Sequence, residues 1–342
     1  MENLKKSRKS SITATSAVAN PLLSKLNRFL SRYLMPNQRV LLALSGGLDS
    51  SVLLNLLAAA KHTIPFELHA MHVHHGLSSN ADAWADFCIQ QCKHLNVPIE
   101  VVRVQVDKNS KLGIEAAARQ LRYQALFDFK QNGVAPDFIV TAHHQDDQAE
   151  TLLLQLFRGA GVKGLASMAV VDESRRLMRP LLDISRQALQ AYAEQHHIPW
   201  CEDESNDNTQ YERNFVRHEV MPVLASRYPS VKSVLARTAL HLAEANGLLD
   251  TLAKIDAENL LKNNSLCLQG LTAFDLPRAK NLLRWWFAQN QLAMPTSEHL
   301  TEILQQLFNA KTDASIHIQL QNLSLKCYQQ RAYLCSERIA EP

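Results

Sequence analysis

A chain of 342 residues with 46% hydrophobic content is long enough to bury about two cores, which excludes a single small binding module. Its formal charge of +3 is accounted for by the first ten residues, where Lys5, Lys6, Arg8 and Lys9 face only Glu2; nucleic-acid contact therefore has to come from local clusters such as Arg175, Arg176 and Arg179, or Arg213 and Arg217. No apolar run reaches the length of about 18 residues that a membrane span needs, and the six cysteines form no CxxC pair, so a soluble protein of a reducing cytoplasm is expected.

Residues 1–20 are rich in Ser, Thr, Ala and Lys, show no apolar period and lack a signal-peptide core; they read as a disordered leader. Leu22, Leu23, Leu26, Phe29, Leu30 and Tyr33 then recur at helical spacing, predicting an amphipathic helix over 21–34. Val40 to Leu44 is a short apolar run that ends in Ser-Gly-Gly and feeds a Leu- and Ala-rich helix over 51–61. Further buried strands are expected at 68–73, 99–106 and 138–142, with helices at 81–95, 114–131 and 146–157 between them. Strands alternating with helices imply a doubly wound parallel sheet, an α/β fold whose ligands sit at the carboxyl ends of the strands. Ser45–Ser50, His74–Gly76 and His143–Asp147 would converge on that edge. Cys88 and Cys92, four apart on a helix, are expected to be small buried apolar residues.

From about Pro229 the pattern turns helical, with Leu235, Leu242, Leu249 and Leu252 on one stripe and helices over 276–290, capped by Asp275, and over 297–309. Residues 316–336 alternate apolar and polar around Gln321-Asn322, as a hairpin would. The expected division is a leader at 1–20, an α/β domain at 21–225 and a smaller, mostly helical domain at 226–342 that ends in a short β-hairpin.

The strongest local signal is Ser45-Gly46-Gly47-Leu48-Asp49-Ser50. A strand that ends in glycines and enters a helix aims backbone N–H groups and the positive end of the helix dipole at one point, which suits phosphate. Ser45 and Ser50 add hydroxyl donors, and Asp49 inside such an anion nest requires a cation, for which Mg2+ bridging phosphate oxygens is the expected choice. There is no Walker Lys-Ser/Thr ending and no GxGxxG, so neither a P-loop NTPase nor a dehydrogenase is indicated. A lone Ser-Gly-Gly could be a tight capped turn; the longer pattern after a buried strand is more specific.

Ala43 to Ser50 resembles the loop of the N-type ATP pyrophosphatases, which cleave ATP between its α and β phosphates and activate a carbonyl as an adenylate. His72-Val73-His74-His75-Gly76-Leu77, the stretch from Glu115 to Tyr123, the stretch from Thr141 to Thr151, and Arg213-Asn214-Phe215-Val216-Arg217 resemble, in order, the tRNA(Ile)-lysidine synthetase family. The resemblance implies a Rossmann-like sheet of the adenine nucleotide alpha hydrolase type, with 21–225 as the ATP-binding catalytic domain and 226–342 as a tRNA-substrate domain. It further implies a ligase that uses ATP and Mg2+ to adenylylate the wobble cytidine of a CAU-anticodon isoleucine tRNA and then joins free L-lysine to it, releasing AMP and pyrophosphate. Longer members of the family carry a further carboxyl-terminal domain; this chain stops just after the expected hairpin and reads as a short-type or truncated member. Oligomeric state stays open, with a homodimer as one option.

Within this frame Ser45, Gly46, Gly47, Leu48, Asp49, Ser50 and His74 are expected at the nucleotide, and Asp49 and Asp147 at the metal. Asp146, Asp147 and Glu150 crowd the start of one helix and need a cation, either magnesium or the ammonium groups of lysine; acids in a first helical turn also suit the helix dipole without further function. Arg119 is expected to neutralise phosphate charge as pyrophosphate leaves, with a solvated pair Arg119 and Arg122 as the alternative. Arg122, Arg213, Asn214 and Arg217 are expected at RNA, near the acidic stretch Asp203-Glu204-Ser205-Asn206, with Phe215 stacking or anchoring the loop. His143 reads equally as a strand-end histidine. The rivals are a tRNA thiolase on the same loop, which calls for a cysteine pair or cluster ligands, and a nucleotide- or RNA-binding protein that does not turn over ATP.

Overall fold

The structure, a computed structural model, describes residues 20–107, 110, 113–202, 208–309, 316–320 and 323–336. Most of the expected leader, the acidic stretch Asp203–Asn206 and the Gln321–Asn322 turn lie outside the described residues. Asn20, read from sequence as leader, caps the first helix: its Oδ1 accepts from the amides of Leu22 and Leu23, both at 3.1 Å.

The chain runs α1 (Pro21–Tyr33), β1 (Arg39–Ala43), α2 (Leu48–Ala60), β2 (Glu67–His74), α3 (Ala81–His94), β3 (Ile99–Arg103), α4 (Ile114–Asp128), β4 (Phe138–Val140), α5 (Gln145–Phe157) and α6 (Val162–Leu165). It continues through β5 (Val171–Asp172), β6 (Leu177–Met178), α7 (Arg186–Gln195), α8 (Glu212–Phe215), a π-helical turn at Val216–Val220, α9 (Met221–Arg227) and α10 (Val231–Leu260). The remainder is β7 (Leu261–Lys262), β8 (Ser265–Cys267), α11 (Leu268–Leu271), α12 (Leu276–Gln289), α13 (Ser297–Phe308), β9 (His317–Leu320), β10 (Leu323–Tyr328) and β11 (Arg331–Ser336).

Two compact units result, one of Met1–Gly159 with Ser167–Arg237, the other of Ala160–Ala166 with Thr238–Pro342. The boundary falls later than residue 225 because Val231 and Leu235 pack against Ala149, Leu153, Val216 and Met221, a small core of the first unit.

In the first unit six strands form a sheet in the order β3-β2-β1-β4-β6-β5, parallel throughout except for β5, which runs antiparallel to β6. The central strand shows why the sheet is covered on both faces: Val40, Leu42 and Leu44 pack with α1, α2 and α7, while Leu41 joins Met71, Leu126, Phe129 and Ile139 beneath α4. β3 ends at Arg103, short of the expected 106, and β5 and β6 are too short to leave a periodicity in the sequence. Met178 pairs with Val140 and the carbonyl of Met178 accepts from Thr141 N at 3.0 Å, so the residues after β6 arrive beside those after β4.

The second unit contains more sheet than the sequence suggested. The expected hairpin is joined by three more strands into an antiparallel sheet ordered β7-β8-β11-β10-β9. Its core gathers Leu282, Leu283, Trp286, Phe287, Ile303, Leu304 and Leu325. Trp286 is the anchor, 1% exposed, with its indole Nε1 donating to Asn264 Oδ1 at 2.9 Å. No helix among the described residues is long and apolar enough to cross a membrane.

Trp286→Ala should lower stability by about 3–5 kcal/mol, read as an earlier denaturant transition for the second unit. Trp286→Phe, which keeps most of the volume and loses the indole donor, should give a much smaller shift.

Candidate active site

Gly46 follows β1 with φ +86°, a conformation that side-chain-bearing residues rarely adopt, and a Cβ built on it would stand 3.0 Å from Cys88 Sγ. The glycine therefore serves both the turn and the packing beneath it. Its carbonyl accepts from Cys201 N at 2.9 Å, and its amide donates to Ser50 Oγ at 3.2 Å. Ser45 Oγ and Ser50 Oγ are 3.0 Å apart, and Gly47 N donates to Ser45 Oγ at 3.3 Å. Gly47 caps α2 without a side chain, so the first amides of α2 have no side-chain cap. The six expected loop residues are thus gathered in one turn at a helix N-terminus.

Asp49, in the first turn of α2, meets the start of α5. Its Oδ2 is 3.5 Å from His144 Nε2, and the same nitrogen is 3.4 Å from Asp147 Oδ2. Burial opposes charging of His144, but the hydrogen bond to Asp49 and the charges of Asp147, Asp49 and Asp146 outweigh it and raise its pKa above the ordinary imidazole value. His144, which the sequence reading did not single out, is the link between the two acids expected at a metal.

Asp147 also accepts from His144 N at 3.0 Å, closing the first turn of α5. Burial works to raise its pKa, yet His144, Arg213 and His143 together with that amide hold it below the usual carboxylate range. Glu150, 3% exposed, receives Arg213 Nε at 2.9 Å and Arg217 Nε and Nη2 at 2.7 and 2.9 Å. Both guanidinium groups reach Asp147 Oδ1 as well, at 3.2 and 3.4 Å. Arg213, Asn214 and Arg217, expected at RNA, are therefore engaged inside the protein: the arginines neutralise buried acids, and Asn214, 8% exposed, donates to the Asn208 carbonyl at 3.0 Å. The π-helical turn after Phe215 carries Arg217.

Asp146 does not share this cluster. Its Oδ2 pairs with Lys232 Nζ at 2.5 Å and its Oδ1 accepts from Arg186 N at 3.1 Å, so it ties α10 and α7 to the start of α5. These partners, against the opposing effect of burial, lower its pKa. The distinction between Asp146 and its neighbour depended on Lys232, 86 positions away in sequence.

The other expected residues lie around this centre. His74, at the end of β2, is 3.2 Å from Asp82 Oδ1 and 3.3 Å from Arg103 Nη1, which places it in a small ionic group. Arg119 lies over the Tyr123 ring at 5.1 Å. Arg122 is half-buried, and burial first, then the neighbouring Arg119, lowers its pKa. His143 Nδ1 is 2.8 Å from Thr141 Oγ1. Gln148 clamps the loop before β5, donating to the Met168 carbonyl and accepting from Met168 N, each at 2.9 Å.

Among the described residues no group of three or more His, Cys, Asp or Glu side chains forms a ready-made metal cage. The donor set still suits a magnesium ion shared with phosphate, because that ion needs only one or two carboxylates and Asp49 Oδ1 is buried without a hydrogen-bond partner. Burial pushes the thiols of Cys88 and Cys92 up to about 12, so both stay protonated.

Residues 18–224 match the family model described as PP-loop domain, and residues 266–333 match that of the TilS substrate binding domain. The chain is 42% identical over 313 residues to a tRNA(Ile)-lysidine synthase of Nitrosomonas europaea, covering 90% of this chain and 67% of that one. It is 40% identical to the enzyme of the same name from Haemophilus ducreyi, covering 92% and 72%. Among solved structures, a U34-tRNA thiolase of Methanococcus maripaludis superposes with a TM-score of 0.56 at 19% identity, over 65% of this chain and 78% of that one, a likeness of fold.

Gly46→Ala should strain the loop by about 1–3 kcal/mol and abolish nucleotide binding, checked by thermal unfolding and an ATP titration. His144 contributes stability that is full below the unfolded imidazole pKa of 6.5 and is lost as pH rises through its higher folded value. Between pH 6 and pH 9 the wild type should therefore lose more unfolding free energy than His144→Gln; parallel curves would remove that electrostatic link.

Proposed function

The chain belongs to the family of tRNA(Ile)-lysidine synthases, and on that premise we propose how its residues divide the work. It is an ATP-dependent ligase that modifies tRNA. In the first half-reaction O2 of the wobble cytidine in a CAU-anticodon isoleucine tRNA attacks the α-phosphorus of ATP; the bond to the bridging oxygen breaks and pyrophosphate leaves. In the second, the ε-amine of free L-lysine attacks C2 of the activated ring, the C2–O2 bond breaks, AMP departs and the amine loses its protons to give lysidine. Adenylylation matters because a carbonyl oxygen is a poor leaving group.

The observation that carries this reading is that Asp49 of the glycine-opened loop is joined through His144 to Asp147 at the head of α5. The loop from Ser45 to Ser50 binds phosphate oxygens through the uncapped first amides of α2, with Gly46 and Gly47 leaving room for close approach, as a helix N-terminus favours electrostatically. Asp49 and Asp147 are the residues that would hold Mg2+, whose chemistry is to neutralise charge on the phosphates during transfer. Arg119 stabilises departing pyrophosphate, and His74 borders the nucleotide. Asp147 and Glu150 are the anionic groups available to the ammonium of lysine, and Arg213 and Arg217 keep them ionised and in place instead of meeting RNA phosphate directly. A cytoplasmic location fits substrates of this kind, and a homodimer remains the oligomer to test by light scattering.

The thiolase rival needs reactive cysteines; Cys88 and Cys92 are buried and protonated, and Cys88 packs under the loop at Gly46. A passive nucleotide binder would gain nothing from crowding Asp49, Asp147 and Glu150 together.

Incubation with ATP, Mg2+, labelled lysine and CAU-anticodon tRNA should place label in the tRNA; AMP release without label would overturn the lysidine assignment. Asp49→Asn should reduce AMP formation by roughly a hundredfold or more, and near-normal turnover would refute its metal role. Arg217→Ala should lower kcat while leaving the salt dependence of tRNA binding unchanged; a slope reduced by about 1 would instead mark a direct phosphate contact.

A further inference from the structure

Arg179 stands in an unusual position for a guanidinium. It follows β6 at the carboxyl edge of the sheet, is only 7% exposed, and its Nε is buried without a hydrogen-bond partner. Nη1 donates to the Ala169 carbonyl at 2.7 Å, so the head group is held by the loop that Gln148 clamps. Among the described residues no carboxylate lies within ion-pair distance of Arg179, Arg119 or Arg122. Tyr123 engages one of these cations: Arg119 Nη2 donates to its hydroxyl at 3.4 Å and the guanidinium lies over its ring at 5.1 Å.

The charges of this group act on one another. Burial, reinforced by Arg119 and opposed by Tyr123 and Asp172, lowers the Arg179 pKa. His143 is pulled down to about 3 by burial, which Asp147 opposes and Arg179, Arg213 and Arg119 reinforce, so it stays neutral beside them. An uncompensated buried cation is costly, and bringing others near it is more so, unless an anion arrives to balance them. This contrasts with Arg213 and Arg217, whose charges are already met by Asp147 and Glu150.

We propose that Arg179, held by the Ala169 carbonyl and acting with Arg119 and the Tyr123 hydroxyl, binds a phosphate oxyanion of the reacting substrates. The inference rests on the ligase reading above and adds to it a residue on a different strand from the loop. Two sources share this chemistry: the pyrophosphate end of the nucleotide, and a backbone phosphate of the tRNA next to the target base. Guanidinium suits either, because its fork presents parallel donors to two oxygens of one phosphate.

The test compares the full-length wild type with Arg179→Gln by calorimetric titration of inorganic pyrophosphate and by the salt dependence of tRNA binding. Loss of one charge-assisted contact should weaken the affected ligand by roughly ten- to a hundredfold. Weakened pyrophosphate binding with an unchanged salt slope supports the site and assigns it to the nucleotide. Unchanged pyrophosphate binding with a slope reduced by about 1 supports the site and assigns it to tRNA. If both measurements match the wild type in a protein of unchanged melting temperature, the proposal is wrong. Should Arg179→Gln fail to fold, Tyr123→Phe keeps the ring under Arg119 and removes only the hydroxyl; several-fold weaker binding of pyrophosphate or of tRNA then supports the site, and wild-type affinity for both overturns it. AMP formation by the wild type is measured alongside: its absence would count against the ligase reading, whereas its presence with unaltered variants counts against Arg179 alone.

Discussion

Asp147 and Glu150 are almost fully buried at the start of α5, one turn apart, and their charges repel in a medium where repulsion is poorly screened. They coexist because Arg213 and Arg217 each touch both of them, and because His144 places an imidazole between Asp147 and Asp49. Much of the local architecture serves this neutralisation. The segment from Glu212 to Val220, including its π-helical turn, presents two arginines to one helix, and the same helix offers Asp146 to Lys232 on another side. Removing one partner from such a network leaves an uncompensated charge, so its members are expected to act together.

The cations at the carboxyl edge of the sheet differ in how they are balanced. Arg213, Arg217 and Lys232 are each met by a carboxylate of α5, whereas among the described residues Arg119, Arg122 and Arg179 have no carboxylate in ion-pair contact. By contrast, a cavity of about 490 Å³ lined by Arg39, Glu67, Leu68 and Gln131 lies at the start of β1 and β2 and contains none of these groups.

The parallel sheet was legible because each strand is an apolar run between amphipathic helices, and the phosphate loop because glycine and serine spacing reflects a backbone requirement that is local. β5, β6, β7 and β8 were not, since strands of two or three residues leave no alternation to detect. Buried Trp286 belongs to a core whose sheet draws strands from both ends of the second unit, a pairing no local pattern announces. Asp146 and Asp147 looked equivalent as adjacent acids in one helical turn; their roles separate only when Lys232 and Arg186 meet one and Arg213 meets the other.

Arg213 and Arg217 illustrate the same limit from the other side. Their residue type and spacing suit RNA phosphate, and nothing within the segment Arg213 to Arg217 reveals that Glu150 lies against them. The sequence by itself determined the α/β class, the loop at Ser45 to Ser50 and the group of acids at the head of α5, because these follow from backbone geometry and residue spacing over a few turns. Only the tertiary structure decided which cation meets which carboxylate, that His144 joins Asp49 to Asp147, and that Arg179 is buried with no described carboxylate in ion-pair contact. Those outcomes depend on contacts between segments tens of residues apart, where the strength of a charge interaction is set by distance and burial and not by order along the chain.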